Sequence, residues 1–285
     1  MVAFVILHYK NMTDTIECIA SIKEKCPKKS YEIVVVDNGT LQDYEKKRLL
    51  KETKHVLCNE ENLGFAKGNN VGIRYAISNF HPDFFVVLNS DIVLLQNDFI
   101  SRIESSYQAT SFDFMGPKIL TNGGDSVNPF PVYRSLNEVN RAIKKSKQLI
   151  FIYRSRILSF LLSCYMSLKH QLKPIKPLEN GDKSMYDVAV HGCCIIFSKK
   201  YYEKYDDVFY PETFLYHEEE FLEFRRVNDH LISYYDESIS VFHKEGASLN
   251  MAFENQERKK LIFRNQEIIR SLSLLKKLMM DAKMD

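Results

Sequence analysis

Runs of apolar residues and amphipathic stretches alternate along the first third of the chain. Residues 2–7 are uniformly apolar and predict a buried strand. Residues 13–25 place Ile16, Ile19, Ala20 and Ile22 at helical spacing, and Pro27 closes that helix. The pattern then predicts a strand over 32–36, a charged helix over 41–51, a short strand over 55–58, a helix over 66–78 and a strand over 84–88. Asp98 is placed to cap a helix over 99–107. This rhythm predicts an α/β fold with a mostly parallel central sheet flanked by helices. In such sheets ligands bind beyond the carboxyl ends of the strands. His8, Asp37, Asn59 and Asn89 all follow expected strand ends, so one cleft is expected to gather them.

The middle of the chain breaks the rhythm. Turn residues cluster at 121–125 and 129–131. Residues 133–177 hold ten bases and one acid, Glu138, around the apolar runs 149–153 and 157–162. Such a stretch reads either as an interfacial membrane element or as a helical insertion packed on the domain. Regular structure is expected again as a strand over 187–197, a short helix over 199–205, and two short strands over 232–235 and 240–243. A long basic amphipathic helix is expected over 254–277. The organisation expected is one domain in four parts: 1–122, a helical insertion 123–186, a second half 187–250 and a C-terminal helix 251–285.

Bulk properties narrow the class. The 285 residues are 45% hydrophobic and 27% charged, as in a globular protein able to bury a core. A net charge of +2 gives no nucleic-acid signal. The six cysteines form no C-x-x-C pair, which argues against structural zinc, and reduced thiols in a cytosolic protein are expected. The apolar N-terminus lacks a basic flank and a cleavage site, and no apolar run approaches the roughly 20 residues of a spanning helix.

Three constellations could carry chemistry. Asn89-Ser90-Asp91 ends a buried strand, where a carboxylate suits a divalent metal shared with a diphosphate. With His243 as a further ligand Mn²⁺ is suited; oxygen ligands alone suit Mg²⁺. The stretch from Asn62 to Asn70, with Gly64, Phe65, Lys67 and Asn69, offers close backbone approach and a mobile cation near a helix start, though it matches neither dinucleotide nor P-loop spacing. His217 and three glutamates, Glu218 to Glu220, read either as a solvated acidic cap or as a general base with one carboxyl raised by repulsion and partial burial. Asp37 reads either as a helix cap for the segment starting near Leu41 or as a ligand for a base N–H or ribose hydroxyl.

Taken in order, these residues resemble family 2 glycosyltransferases of the GT-A fold, of the bacterial surface-polysaccharide type that includes rhamnosyl and galactosyl enzymes. The resemblance covers most of the chain outside roughly 125–185. It implies donor binding by His8, Tyr9, Asp37, Asn38, Asn62, Gly64, Phe65, Lys67, Asn69, Asn70, Asn89 and Ser90. Asp91 and His243, with Ser248 following, stand where the family binds its metal; Asn89 replaces the first acid of D-x-D. His191, Gly192 and Tyr216 correspond to the acceptor border, and Arg264-Asn265 to a recurrent pair in the C-terminal helix. Glu218-Glu219 replaces the E-D base motif, making Glu219 the base by position and Glu218 its understudy.

The activity so implied is inverting, metal-dependent transfer from a UDP- or dTDP-sugar to a glycan or polyprenyl-linked acceptor. The setting implied is capsule or cell-wall polysaccharide assembly by a cytoplasmic protein peripheral at the inner membrane face, with no nucleic acid and a homodimer as one assembly. About 1 kcal/mol per base is available to the basic insertion near anionic lipid. The rival from another class is a non-catalytic partner subunit that keeps the fold and binds membrane or another transferase.

Overall fold

The computed structural model describes residues 1–26, 30–123, 126–171, 183–244 and 256–282, with the side chains of 166–171 excepted. Ser248 and the end of the basic insertion lie outside them.

The first half follows the alternation. β1 (Val2–His8), α1 (Met12–Lys25), β2 (Tyr31–Asp37), α2 (Asp43–Glu52), β3 (His55–Cys58), α3 (Gly64–Phe80) and β4 (Phe84–Asn89) succeed one another. Then come β5 (Ile92–Leu94), α4 (Phe99–Thr110) and β6 (Phe114–Leu120). The helical hairpin is α5 (Leu136–Arg154) and α6 (Arg156–Gln171). The chain goes on through β7 (Met185–Tyr186), β8 (Cys194–Ser198), α7 (Lys199–Tyr202), α8 (Glu218–Asn228), β9 (Ser233–His243) and α9 (Glu257–Asp281).

One sheet runs β3-β2-β1-β4-β8-β6-β9-β5, with β7 beside β9. The block from β3 to β4 is parallel. Beyond β4 the sheet is mixed: β8 is antiparallel to β4 and β6, and β6 is parallel to β9. Apolar clusters line both faces, as uniformly apolar strands require. α3 sits hard on the sheet, since a methyl group at Gly72 would come within 2.6 Å of Val5 and Val36 side-chain atoms.

Several expectations change in detail, each for a local reason. The segments 232–235 and 240–243 belong to one strand, β9, whose register against β6 jumps between Pro117 and Lys118. The intervening amides find side chains: Glu237 donates to Ser184, Ser238 to Asp236 and Ser240 to Gln96. The strand expected over 187–197 begins only at Cys194. Before it, His191 donates its amide to Asn128 Oδ1, Gly192 to Glu219 Oε1 and Cys193 to His191 Nδ1. Those amides are therefore spent outside the ladder. Asp98 precedes α4 without a side-chain cap bond; its carboxylate takes Arg102 and Gln96 instead.

The insertion is half core. Val139 and Ala142 of α5 pack with Leu272 and Leu275 of α9 and Phe221 of α8. α6 stays largely exposed over its first turns. Cys18, Cys26, Cys193 and Cys194 are buried, and burial raises each of these thiols above its ordinary range. Among the described residues no helix is long and apolar enough to cross a membrane.

Candidate active site

The sheet register brings the strand-end residues to one edge: His8 pairs with Asp37, and Leu7 with Asn89. On the β2 side this edge is held by saturated side chains. Both Asp37 oxygens accept from Thr40, and Leu41 N–H adds a further bond, so the carboxylate anchors the turn after β2. Asn38 donates to Asn62 Oδ1 (2.9 Å) and Gly64 O (3.0 Å), and accepts from Leu63 N (3.0 Å) and Asn59 Nδ2 (3.2 Å). All the capacity of that amide is used. Gly64 has a φ of +80°, which favours glycine, and lies against the backbone of Phe214.

Within α3, Asn70 clamps Phe209 by accepting its N–H (3.0 Å) and donating to its carbonyl (2.8 Å). Asn69 is fully buried; its amide donates to Phe65 O (2.9 Å), and its Oδ1 has no partner among the described residues. His8 is buried against Thr15 Oγ1 (2.7 Å), and desolvation lowers its pKa. Lys67 is exposed, Tyr9 is half-buried with Lys10 over its ring, and Ser90 is buried.

Beside this edge opens a cavity of about 810 Å³. Of the expected site residues it brings together Phe65, Asn89, His191, Gly192, Tyr216, Glu218 and Glu219. Asp37 lies two strands from Asn89 along the same edge and does not line the cavity. Glu219 Oε1 accepts from the Gly192 amide at 2.9 Å, which fixes one carboxylate oxygen at the cavity wall. A methyl group at Gly192 would sit 3.0 Å from that same oxygen.

The glutamates of α8 differ sharply. Glu218 is buried, its Oε1 without a partner among the described residues. Desolvation, with the Glu219 charge next, raises its carboxyl to about 8. Glu220 is also buried and holds His217 Nδ1 at 2.9 Å. The turn delivering them carries two successive non-glycine residues in the left-handed region, Tyr216 (φ 68°) and His217 (φ 70°). Each costs of order 1–3 kcal/mol, and such strain concentrates at working sites.

Asp91 Oδ1 and His243 Nε2 are 3.3 Å apart, both nearly buried. β5 pairs with β9 so that Ile92 faces His243, which brings the carboxylate and imidazole together. His243 lies near His191 of the cavity wall, ring centres 6.0 Å apart and planes tilted by 56°. Among the described residues no three His, Cys, Asp or Glu side chains form a ready metal cluster. The pair would nonetheless fit one divalent ion, since a carboxylate oxygen and an imidazole nitrogen this close could both hold it, leaving phosphate oxygens to supply the rest.

The sequence reading missed Tyr133, Lys145, Leu149 and Tyr153, which wall the cavity from the insertion side. For the last three the signal was available: Ala142, Lys145, Ser146, Leu149 and Tyr153 recur at helical spacing on one face of α5, whereas Tyr133 precedes that helix. Arg264, noted only as part of a pair, lines the cavity and lies 5.6 Å from the Tyr216 ring centre.

Comparison with known proteins bears on the fold and the family. The low-salt glycan biosynthesis hexosyltransferase Agl10 of Haloferax volcanii is 24% identical over 222 residues, 76% of this chain and 58% of that protein. The chain thus spans less than two thirds of that relative's length. The crystal structure of S. aureus TarS matches with a TM-score of 0.53 at 13% identity, over 85% of this chain and 36% of that one. GalNAc-T7 with UDP, GalNAc and Mn²⁺ matches with a TM-score of 0.56 at 11% identity, over 87% of this chain and 44% of that one. The two structures share the fold, a central sheet flanked by helices. A family model described as glycosyl transferase family 2 matches residues 4–206, most of the chain, and the protein belongs to that family.

Proposed function

We propose that this chain transfers a sugar, with inversion, from a nucleoside diphosphate sugar to a hydroxyl of a glycan or lipid-linked glycan. The observation that carries this reading is Glu219, held by the Gly192 amide in the wall of a cavity that also reaches Asn89 at the sheet edge. The acceptor oxygen attacks the anomeric carbon, the bond to the diphosphate oxygen breaks, and the proton passes to the Glu219 carboxylate. One displacement suffices, with no covalent intermediate.

Donor holding falls to the edge built from β1, β2 and the start of α3. His8, Tyr9 and the Asp37–Asn38 turn border the base and ribose, with the Asn62–Asn70 segment, Asn89 and Ser90 toward the phosphates. Asp91 and His243 would hold a divalent metal, Mn²⁺ or Mg²⁺, which when bound neutralises charge on the departing diphosphate. The hexosyltransferase activity named for the Haloferax volcanii relative and the Mn²⁺ and UDP named for the structural neighbour support a hexose, a divalent metal and a UDP-linked donor, with a dTDP-linked deoxyhexose as the alternative donor. His191, Gly192 and Tyr216 border the acceptor. A surface polysaccharide acceptor on a polyprenyl carrier would put the protein at the inner face of the cell membrane.

Screening UDP- and dTDP-sugars by thermal shift with and without Mn²⁺, then assaying transfer or slow donor hydrolysis, tests the proposal. Metal-dependent stabilisation by a nucleotide sugar and turnover that fails in Glu219→Gln are expected. No turnover across donors, with tight binding to a second transferase, would make the chain a partner subunit.

A further inference from the structure

α5 and α6 meet at Ser155, the one residue between Arg154 and Arg156. The inner face of α5 is accounted for by its packing on α9 and by the cavity. Among the described residues the outer side of this elbow is not. Phe151 is 70% exposed, Ile157 72%, Phe160 67% and Leu161 56%. Around them stand Lys144, Lys147, Arg154 and Arg156, all exposed. Residues 136–165 hold six bases and one acid, and that acid, Glu138, is committed to capping the far end of α5 through Ser135. Arg258 of α9 donates to the Tyr153 and Arg154 carbonyls, so the elbow is tied to the body of the protein.

Four large apolar side chains left exposed within eleven residues call for an occupant, and the surrounding charge selects one. A second copy would set one cluster of bases against another. An anionic bilayer offers phosphates to the bases and an apolar layer to the aromatic and aliphatic tips, the arrangement of an interfacial helix. Helix length and composition agree, since no described helix can cross a membrane.

We propose that the α5–α6 elbow docks this chain on an anionic lipid surface. Phe151, Ile157, Phe160 and Leu161 enter the interfacial layer, and Lys144, Lys147, Arg154 and Arg156 meet lipid phosphates. Lys145, Leu149 and Tyr153 of the same α5 line the cavity, so docking brings the cavity rim to the bilayer. In this respect the inference rests on the transferase reading, because a lipid-linked acceptor is what gives a docked cavity its use.

Flotation of the whole chain with vesicles of phosphatidylglycerol and phosphatidylcholine in equal parts, and with phosphatidylcholine alone, measures docking without turnover. Binding to the anionic vesicles that weakens in high salt is expected. Arg154→Glu with Arg156→Glu, and separately Ile157→Ser with Phe160→Ser, should each cut the bound fraction about tenfold while circular dichroism stays unchanged. Absence of binding, or equal binding to both vesicles, overturns the proposal. A doubled mass by light scattering that the Ile157 and Phe160 changes abolish, without vesicle binding, also overturns it in favour of a contact between copies. Turnover of a water-soluble acceptor should survive in all these variants; its absence from the unaltered chain, with docking intact, would strike the transferase reading alone.

Discussion

The two sides of the cleft are built on opposite principles. On the β1–β2 side the buried polar groups are mostly spent: Asp37 and Asn70 give their side chains to backbone and Asn38 to backbone and to Asn59 and Asn62, with Asn69 Oδ1 the exception among the described residues. On the α8 side buried carboxylates are left short, with Glu218 Oε1 and Glu220 Oε2 lacking partners among the described residues. A satisfied network fixes a shape, whereas an unsatisfied one stores free energy that a ligand or a proton can release. The first side reads as a mould and the second as the reactive wall.

Four substitutions press on that contrast. Glu219→Gln should lower turnover by about three orders of magnitude while donor affinity holds, measured by single-turnover assay and calorimetry. Near-normal turnover would remove it as the base. Glu218→Gln tests the reactive wall by pH. Its carboxyl stands near 8 in the fold against 4.5 when unfolded. Between those values the folded state keeps a proton that the unfolded state loses, so rising pH lowers stability across this window and has no further effect above it. The variant should flatten the fall by ~3 kcal/mol, read from urea melts at pH 5 and pH 8.5. Parallel curves would mean the carboxyl is not raised.

Asn70→Ala tests the mould. It leaves the Phe209 N–H and carbonyl buried without partners and should cost about 2 kcal/mol of stability at every pH. A loss confined to turnover would instead make Asn70 a ligand-binding group. The smallest effect, about tenfold, is expected for Asp91→Ala on Mn²⁺-dependent nucleoside diphosphate affinity. Unchanged calorimetric binding would count against the metal pair.

The contrast also explains what the sequence could disclose. Strands of unbroken apolar residues announce a sheet buried on both faces, and the edge at His8, Asp37 and Asn89 follows from their ends. The 236–240 irregularity did not, because its amides are satisfied by Ser184 and Gln96, far away along the chain. The same holds for 187–193, where Asn128 and Glu219 take amides that a ladder would have used. Three adjacent glutamates could be read as a solvated cap or as a reactive group. Only tertiary packing reveals that Glu218 is the one driven toward its neutral form, with Glu219 turned to the Gly192 amide. The α5 contribution was hidden differently: its helical stripe was visible, but not that a cavity lay against it.

Tyr216 and His217 both carry left-handed backbone at the entry to α8. That burden is borne by the folded protein's stability. Glycine at either place would ease it, and would loosen the bend that aims Glu218 and Glu219.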